Sequence, residues 1–253
     1  MKKNKTAKRI LFLLAAVVFA SAAVYLAVFF CNQYAADREY SSVPTRPANE
    51  YEPLAYNPID FDTLLKGNDE IYAWIKIDDT KVNYPIAQHS SEDESFYLTH
   101  SAMDKSYIKS GAIYTETCNK KDFSDPVTLV YGHNNYGDSM FTTLHKFEDK
   151  DFFDRHEFVY IYTPARKLTY KIISAFQYDD RHIMNTNNFS DATVLSEFQQ
   201  MLLNPESKNK NVRNNMDEMN ESSKIMVLST CITGDKSSRY LVCCLLVNDE
   251  KTD

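Results

Sequence analysis

The stretch Lys224-Ile-Met-Val-Leu-Ser-Thr-Cys-Ile-Thr-Gly-Asp-Lys-Ser-Ser-Arg-Tyr-Leu-Val242 decides how this chain folds. Up to Cys231 its residues fall into two alternating sets, as in a β-strand with two different faces. Gly234-Asp235 then interrupts the alternation, and residues 240–247 resume it in apolar and β-branched side chains. The stretch therefore predicts a hairpin, with Cys231 at the end of one strand and Arg239 at the start of the next.

Two chemical interpretations of this hairpin are open. A thiol and a guanidinium at the rim of a sheet can act as a nucleophile and an anion clamp. They can equally be a small apolar residue and a solvated charge. The turn between them, residues 232–238, is short, so we expect specificity to come mainly from the loops and the helix that precede it.

The amino terminus predicts a membrane anchor. Residues 1–9 hold five Lys and Arg and no acid, and residues 10–30 carry no charge. A membrane-spanning helix needs about 20 apolar residues, whereas the apolar region of a signal peptide has about 7–15. Basic residues before a span favour the cytoplasmic side. We expect a cytoplasmic tail at 1–9, a single-pass anchor at 10–30, and the rest of the chain outside the cell.

The chain after the anchor divides into a linker and one domain. Residues 31–50 are polar, contain Pro44 and Pro47, and lack an apolar period, which is typical of a linker. Residues 51–253 are long enough for one domain with its own core. Removing the five positive charges of the tail from the formal net charge of −7 leaves about −12 for the remainder. This acidic balance argues against nucleic acid as a partner.

The cysteines are those at positions 31, 118, 231, 243 and 244, and their spacing fits neither a disulfide framework nor a zinc site. Cys243 and Cys244 are adjacent in a predicted strand and point to opposite faces, so we expect two buried free thiols. The sequence also lacks a Gly-rich phosphate loop and a His-Glu-x-x-His motif. It predicts no metal and no cofactor.

Short strand-like runs separated by turns make up most of the domain. They lie at residues 72–77, 82–87, 112–115, 127–131, 158–162 and 168–176. Asp60 is placed to cap a short helix closed by Gly67. Apolar residues at one-and-four spacing predict a second helix at 192–203, and the polar residues 204–222 predict an exposed loop. The sum is a mainly β domain, expected to be a barrel, with a few helices.

Among six histidines, His133 has the context of a reactive side chain. It follows an apolar run and Gly132 and precedes Asn134-Asn135-Tyr136-Gly137, so it leaves a strand end and enters a loop. A thiolate is the attacking form of cysteine, and a nearby imidazolium or guanidinium favours it. Cys231, His133 and Arg239 are therefore candidate catalytic residues. No third, orienting residue stands out, and His145 and His156 receive no role.

The residues found so far resemble those of class B sortases in order, type and surroundings. The resemblance spans about residues 61–247 and combines a Tyr-Gly-His-Asn segment with a distant Leu-Ser-Thr-Cys segment and a following Arg. The segments that carry it are Tyr72-Ala-Trp-Ile-Lys-Ile77, Val82-Asn-Tyr-Pro-Ile-Ala-Gln88, Tyr97-Leu98, Tyr131-Gly-His-Asn134, Met140-Phe141, Leu228-Ser-Thr-Cys231 and Arg239.

The resemblance implies a closed β-barrel of about eight strands, with an amino-terminal helical extension and a helix inserted before the cysteine strand. It also implies a cysteine transpeptidase of Gram-positive bacteria. Cys231 would attack the carbonyl of a threonine in an Asn-Pro-x-Thr sorting signal and form a thioacyl enzyme. His133 would exchange protons with the leaving and incoming amines, and Arg239 would hold the substrate backbone and the oxyanion.

The resemblance further implies substrate-binding positions. Leu98, Ser229 and Thr230 match positions that line the peptide groove in relatives. Two positions depart from the family pattern: Val227 replaces the usual Thr, and Glu94 replaces a frequent Asn, which adds a negative charge near the groove.

The implied partners are surface proteins or pilins that bear a sorting signal, and an amine of the peptidoglycan cross-bridge as acceptor. The membrane is a partner through the amino-terminal helix. Two other functions remain open from the residues: a thiol peptidase that ends in hydrolysis, and a non-catalytic, membrane-tethered barrel that binds wall components.

Overall fold

The computed structural model describes residues 3–39, 54–135, 137–213 and 219–252. Its first element is the helix α1 (Lys3–Glu39), in which Leu14–Cys31 has a mean hydropathy of 2.4 and is not buried in the protein. This helix is long and apolar enough to cross a membrane. It continues into the first part of the predicted linker because neither Gly nor Pro interrupts it before Pro44. Residues 40–50 of the linker lie outside the described residues.

The strands of the described residues form one sheet. They are β1 (Ile71–Lys76), β2 (Asn83–Ala87), β3 (Ile113–Tyr114), β4 (Val127–Tyr131), β5 (Phe158–Thr163), β6 (Arg166–Asp179), β7 (Lys210–Val212), β8 (Ile225–Ile232) and β9 (Asp235–Lys251). Eight of them pair in the order β5-β1-β2-β3-β4-β8-β9-β6, and β6 pairs again with β5. The sheet therefore closes into an eight-stranded barrel, which confirms the prediction.

The strand β7 corrects the prediction that residues 204–222 are only a loop. It pairs with residues 174–176 of β6, beyond the part of β6 that pairs with β5. Its three residues, Lys210, Asn211 and Val212, are too few to show an alternating apolar pattern, so the sequence alone does not show this strand.

The helices after α1 begin at side-chain caps. The helix α2 (Phe61–Gly67) follows Asp60, whose carboxylate accepts a hydrogen bond from the backbone N–H of Thr63. Two short helices, α3 (Lys150–Arg155) and α4 (Ile183–Thr186), come next. The helix α5 (Ala192–Leu203) follows Asp191, which caps it in the same way. The bounds predicted for α5 are confirmed.

Two 3-10 helices, Phe96–Leu98 and Thr142–Glu148, complete the helical elements of the described chain. The sequence did not predict either of them or α3 and α4, because each is too short to show a helical period.

The barrel has an apolar layer on each side of β8. Met226 and Leu228 point into the barrel and pack in the same cluster as Trp74, which is 1% exposed. Ile225 and Val227 point outward and pack in a second cluster with α5. Each large apolar side chain buried in this way contributes about 1.5–3 kcal/mol. The alternation read in the sequence is thus the alternation between these two cores.

The connection between β8 and β9 is tighter than predicted. β8 ends at Ile232 and β9 begins at Asp235, so the turn is Thr233-Gly234, and Gly234 has a φ of 82° that suits glycine. Ile232 pairs with Asp235, whereas Cys231 pairs with Arg239. Residues 236–238 therefore form a bulge in β9 that has no partner in β8, although Ser238 pairs with Asp179 of β6. Arg239 lies inside the return strand instead of at its start.

Candidate active site

Strand register brings the three candidate catalytic residues to one edge of the barrel. The strands β4 and β8 are parallel, and Tyr131 pairs with Ser229. Cys231 lies two residues beyond Ser229 in β8, and His133 lies two residues beyond Tyr131, just past the end of β4. Neighbouring strands run about 4.8 Å apart. On the other side of β8, Arg239 is the cross-strand partner of Cys231. Paired residues point to the same face of a sheet, so the side chains of Cys231 and Arg239 share one face, while His133 follows the strand on the other side of β8.

The environment of Cys231 differs from that of the residue before it. Thr230 is 2% exposed and pairs with the buried Tyr240, whereas Cys231 is exposed. The nucleophile candidate therefore lies on the outer face of the barrel, open to solvent and to a peptide.

His133 is held by the segment that carries Leu98. Its Nε2 atom lies 2.7 Å from the carbonyl oxygen of Leu98, and its own carbonyl accepts from the N–H of Phe141 at 3.0 Å. Because a carbonyl only accepts hydrogen bonds, Nε2 is the donor. Gly132 is required next to it, since a Cβ there would come within 2.6 Å of the Phe141 ring.

Arg239 is fixed by the bulge that precedes it. Its Nη1 atom donates to the carbonyl oxygens of Lys236 and Ser238, both at 3.0 Å. Within the part of the chain that the structure describes, Nε and Nη2 make no hydrogen bond. The guanidinium is thus oriented by one nitrogen and keeps donors for a substrate oxygen.

The predicted substrate-binding residues occupy different environments. Leu98 is 37% exposed, so part of its side chain is open to solvent. Ser229 is 5% exposed and shares the outer face with Cys231, whereas Thr230 faces the barrel interior. A role for these three residues in substrate binding stays a prediction.

A polar cluster lies beside the site on the outer face of β4. Glu116 accepts hydrogen bonds from His182 Nε2 at 2.8 Å and from the Tyr131 hydroxyl at 3.4 Å. Burial, together with the charge of Glu116, raises the pKa of Tyr131 well above its ordinary value. Tyr131 therefore remains a hydrogen-bond donor at neutral pH.

Glu94, the departure noted in the sequence, lies near this cluster. It accepts a hydrogen bond from the hydroxyl of Thr117. Burial and the charges of Glu116 and Glu94 raise the pKa of Tyr114, whose ring stacks on Tyr131 at 5.3 Å. Two carboxylates thus give this flank of the site a negative potential.

Two residues that the sequence did not assign contact the backbone of the cysteine. Asn134 Nδ2 lies 2.8 Å and His145 Nε2 3.0 Å from the carbonyl oxygen of Cys231. One feature of the sequence pointed to Asn134, namely its position directly after His133. No feature of the sequence pointed to His145, because its partner is 86 residues away in the chain.

Comparison with known proteins identifies the class to which this fold and site belong. A family model described as a sortase domain matches residues 75–247. This match covers more than half of the chain, and the chain belongs to the sortase family.

The similar proteins are class B sortases, as the motifs predicted. Sortase B of Listeria monocytogenes is 28% identical over 170 residues, which are 67% of this chain and 66% of that protein. The crystal structure of sortase B from Bacillus anthracis in complex with AAEK1 matches with a TM-score of 0.68 and 26% identity, over 87% of this chain and 99% of the other. A class B sortase of Streptococcus pyogenes involved in pilus biogenesis matches with a TM-score of 0.61 and 28% identity, over 75% and 98%.

Proposed function

We propose that this chain is a membrane-anchored cysteine transpeptidase. It cleaves a sorting signal of the Asn-Pro-x-Thr kind in a substrate protein and transfers that substrate protein to a peptidoglycan amine. The observation that carries the proposal is the position of Cys231, exposed near the end of β8 with Arg239 as its cross-strand partner and His133 just beyond the end of the neighbouring strand β4. Membership of the sortase family supports the same chemistry.

The first half of the reaction forms a thioacyl enzyme. The Cys231 thiolate attacks the carbonyl carbon of the threonine, and the carbonyl oxygen becomes an oxyanion near the donors of Arg239. The C–N bond then breaks, and His133 gives a proton to the leaving amine. Since Nε2 of His133 donates to the Leu98 carbonyl, Nδ1 is the nitrogen that exchanges this proton.

The second half transfers the acyl group. An amine of the cross-bridge attacks the thioester, His133 takes its proton at Nδ1, and Cys231 leaves as the thiolate. The reaction balances without a cofactor or an oxidant, because one amide bond is exchanged for another.

Cleavage of peptides by the full-length protein in detergent tests the proposal. A panel of Asn-Pro-x-Thr peptides should be cut after Thr, with a thioacyl adduct on Cys231 detected by mass spectrometry. Cleavage that survives the C231A substitution would contradict the proposal.

The same experiment distinguishes two other functions, a thiol peptidase and a non-catalytic wall-binding module. Addition of an amine acceptor should convert the released acid into a ligated product, whereas a thiol peptidase would release acid regardless of the amine. A wall-binding module would show no cleavage, and its Cys231 would resist iodoacetamide in the folded protein.

We further propose the membrane arrangement read from the sequence: residues 1–9 in the cytoplasm, a span within 10–30, and a catalytic domain outside the cell after a linker. The apolar helix α1 and the basic residues before it support this arrangement. A membrane-impermeant maleimide applied to intact cells should label wild-type protein at Cys231. Labelling only after lysis would place the domain inside.

A further inference from the structure

The carbonyl oxygen of Cys231 is held by side chains at a break in the strand pairing. Cys231 pairs with Arg239, but the next residue, Ile232, pairs with Asp235. At this point the carbonyl oxygen meets Asn134 Nδ2 at 2.8 Å and His145 Nε2 at 3.0 Å. The backbone of the nucleophile thus depends on contacts from outside its own hairpin.

Both nitrogens of His145 face acceptors. Nδ1 lies 2.6 Å from a carboxylate oxygen of Glu148, and Nε2 faces the carbonyl of Cys231. The Cys231 carbonyl only accepts hydrogen bonds, so Nε2 is the donor in that contact. Asn134 Nδ2 also lies 3.1 Å from Nε2. Asn134 directs its amide donors to the Cys231 carbonyl and to Thr233 Oγ1, at 3.1 Å.

The ring of His145 is itself fixed in place. It stacks on Tyr240 with ring centroids 5.0 Å apart, and Tyr240 is the cross-strand partner of Thr230. Glu148 holds the opposite edge of the ring. His145 therefore has little freedom, and the donor it presents to Cys231 is preorganised.

We propose that His145 is a positioning residue, which fixes the Cys231 peptide and through it the thiol relative to His133. Asn134 shares this task and links it to His133, its neighbour in the chain. The inference rests on the proposed function, because thiol placement matters only if Cys231 reacts. A displacement of about 1 Å at a reacting atom can cost about a hundredfold in rate.

The chain offers a matched control in His156. It also places Nδ1 near a carbonyl, that of Phe152 at 2.8 Å, and Nε2 near a carboxylate, that of Asp79 at 2.9 Å, and it stacks on Phe152. Within the described residues it has no hydrogen bond to Cys231, His133 or Arg239. Its substitution perturbs a similar network away from the candidate site.

The test uses four variants of the full-length protein: H145Q, H145N, H156Q and H156N. The amide nitrogen of Gln falls near Nε2 of the replaced His, whereas that of Asn falls near Nδ1. Only H145Q keeps a donor toward the Cys231 carbonyl. With an Asn-Pro-x-Thr peptide, we expect H145N to lower kcat at least about tenfold with KM unchanged, while H145Q and both His156 variants remain within about threefold of wild type.

Equal losses in H145Q and H145N would overturn the proposal, since ring packing and not the donor would then matter. Full activity of H145N would overturn it as well. A rise in KM without a fall in kcat would assign His145 to substrate binding instead, which also contradicts it.

A second measurement separates this inference from the proposed function. Hydrogen–deuterium exchange of the segment 225–240 needs no substrate. We expect faster exchange in H145N than in wild type and H145Q, because the strand end loses a clamp. If wild type cleaves no peptide, the proposed function fails, yet this exchange pattern still supports the placement of Cys231 by His145. Identical exchange in all three proteins would overturn the inference that His145 positions Cys231.

Discussion

Cys231 and Cys244 lie on the same pair of strands, yet their environments are opposite. Cys231 stands at the end of β8, exposed, with a guanidinium across the ladder. Cys244 stands in the middle of β9 and is 0% exposed inside the barrel, and Cys243 is equally buried in the outer layer. Burial raises the pKa of Cys243 to about 12 and also raises that of Cys244.

The difference shows that position in the sheet, and not residue type, decides what a cysteine can do. A thiol in an apolar core is disfavoured as the thiolate and is inert. The thiol of Cys231 at the strand end is exposed and lies across the ladder from the Arg239 guanidinium. The expectation that Cys243 and Cys244 are buried thiols on opposite faces is confirmed.

The largest expected effect is on activity, which should be lost on substitution of Cys231 and kept on substitution of Cys244. Replacement of Cys231 by Ala should lower peptide cleavage at least about a thousandfold, because the nucleophile is removed. Replacement of Cys244 by Ala should leave kcat within about twofold. Steady-state kinetics of both variants check this, and a comparable loss in C244A would break the comparison.

Thiol labelling sharpens the comparison without any substrate. A pKa of about 12 instead of 9.0 lowers the thiolate fraction of Cys243 about a thousandfold near neutral pH. Iodoacetamide should therefore modify Cys231 in the folded protein at least about a hundredfold faster than Cys243 or Cys244. Mass spectrometry of digests before and after denaturation in urea measures this, and rapid labelling of a buried thiol in the folded state would contradict it.

Substitution of the imidazole tests whether the exposed cysteine depends on its neighbours. The H133A variant should lower kcat about 100-fold to 1,000-fold, since the proton donor for the leaving amine is lost. Addition of imidazole to the assay should restore part of the activity. An unchanged kcat would mean that exposure alone makes Cys231 reactive.

Substitution of the guanidinium is expected to have a smaller effect. The R239A variant should lower kcat about 100-fold, as for the loss of one oxyanion donor. R239K keeps the charge but loses the planar fork, so we expect a value between R239A and wild type. Equal activities of R239K and R239A would show that donor geometry, and not charge, is required.

The smallest effect concerns stability. Replacement of Cys244 by Ser places a hydroxyl in the barrel core and should cost about 1–3 kcal/mol in the free energy of unfolding. C231S should change it by less than about 0.5 kcal/mol, because the side chain is exposed. Urea denaturation followed by the fluorescence of Trp74, the single tryptophan, compares the two. A cost at Cys231 equal to that at Cys244 would remove the contrast in stability.

Much of the fold was predictable because it depends on local patterns. The alternation before Cys231 indicated a strand with two faces, and the spacing of apolar residues indicated α5 with its bounds. The strand β7 and the short helices were missed, since their stability comes from neighbours and not from a period of their own. The bulge at 236–238 was read as part of a turn for the same reason.

The candidate site was only partly predictable. Cys231, His133 and Arg239 stood out by strand-end context and motif. The pairing of β8 with β4 and β9 makes Arg239 the partner of Cys231 and puts His133 just beyond the end of the neighbouring strand. Glu148, His145 and Asn134 form a chain of contacts to the Cys231 carbonyl. No sequence pattern indicates that chain, because it joins a 3-10 helix and a loop to a strand end through long-range contacts.

The sequence by itself determined the apolar amino-terminal helix, the alternating strands, the caps of α2 and α5 and the candidate site residues. Each of these depends on a pattern or motif that is continuous in the chain. Only the tertiary structure decided the closure of the barrel, the two apolar layers around β8 and the hold on the Cys231 carbonyl. Those features depend on which distant segments become neighbours, and that is set by packing of the whole chain.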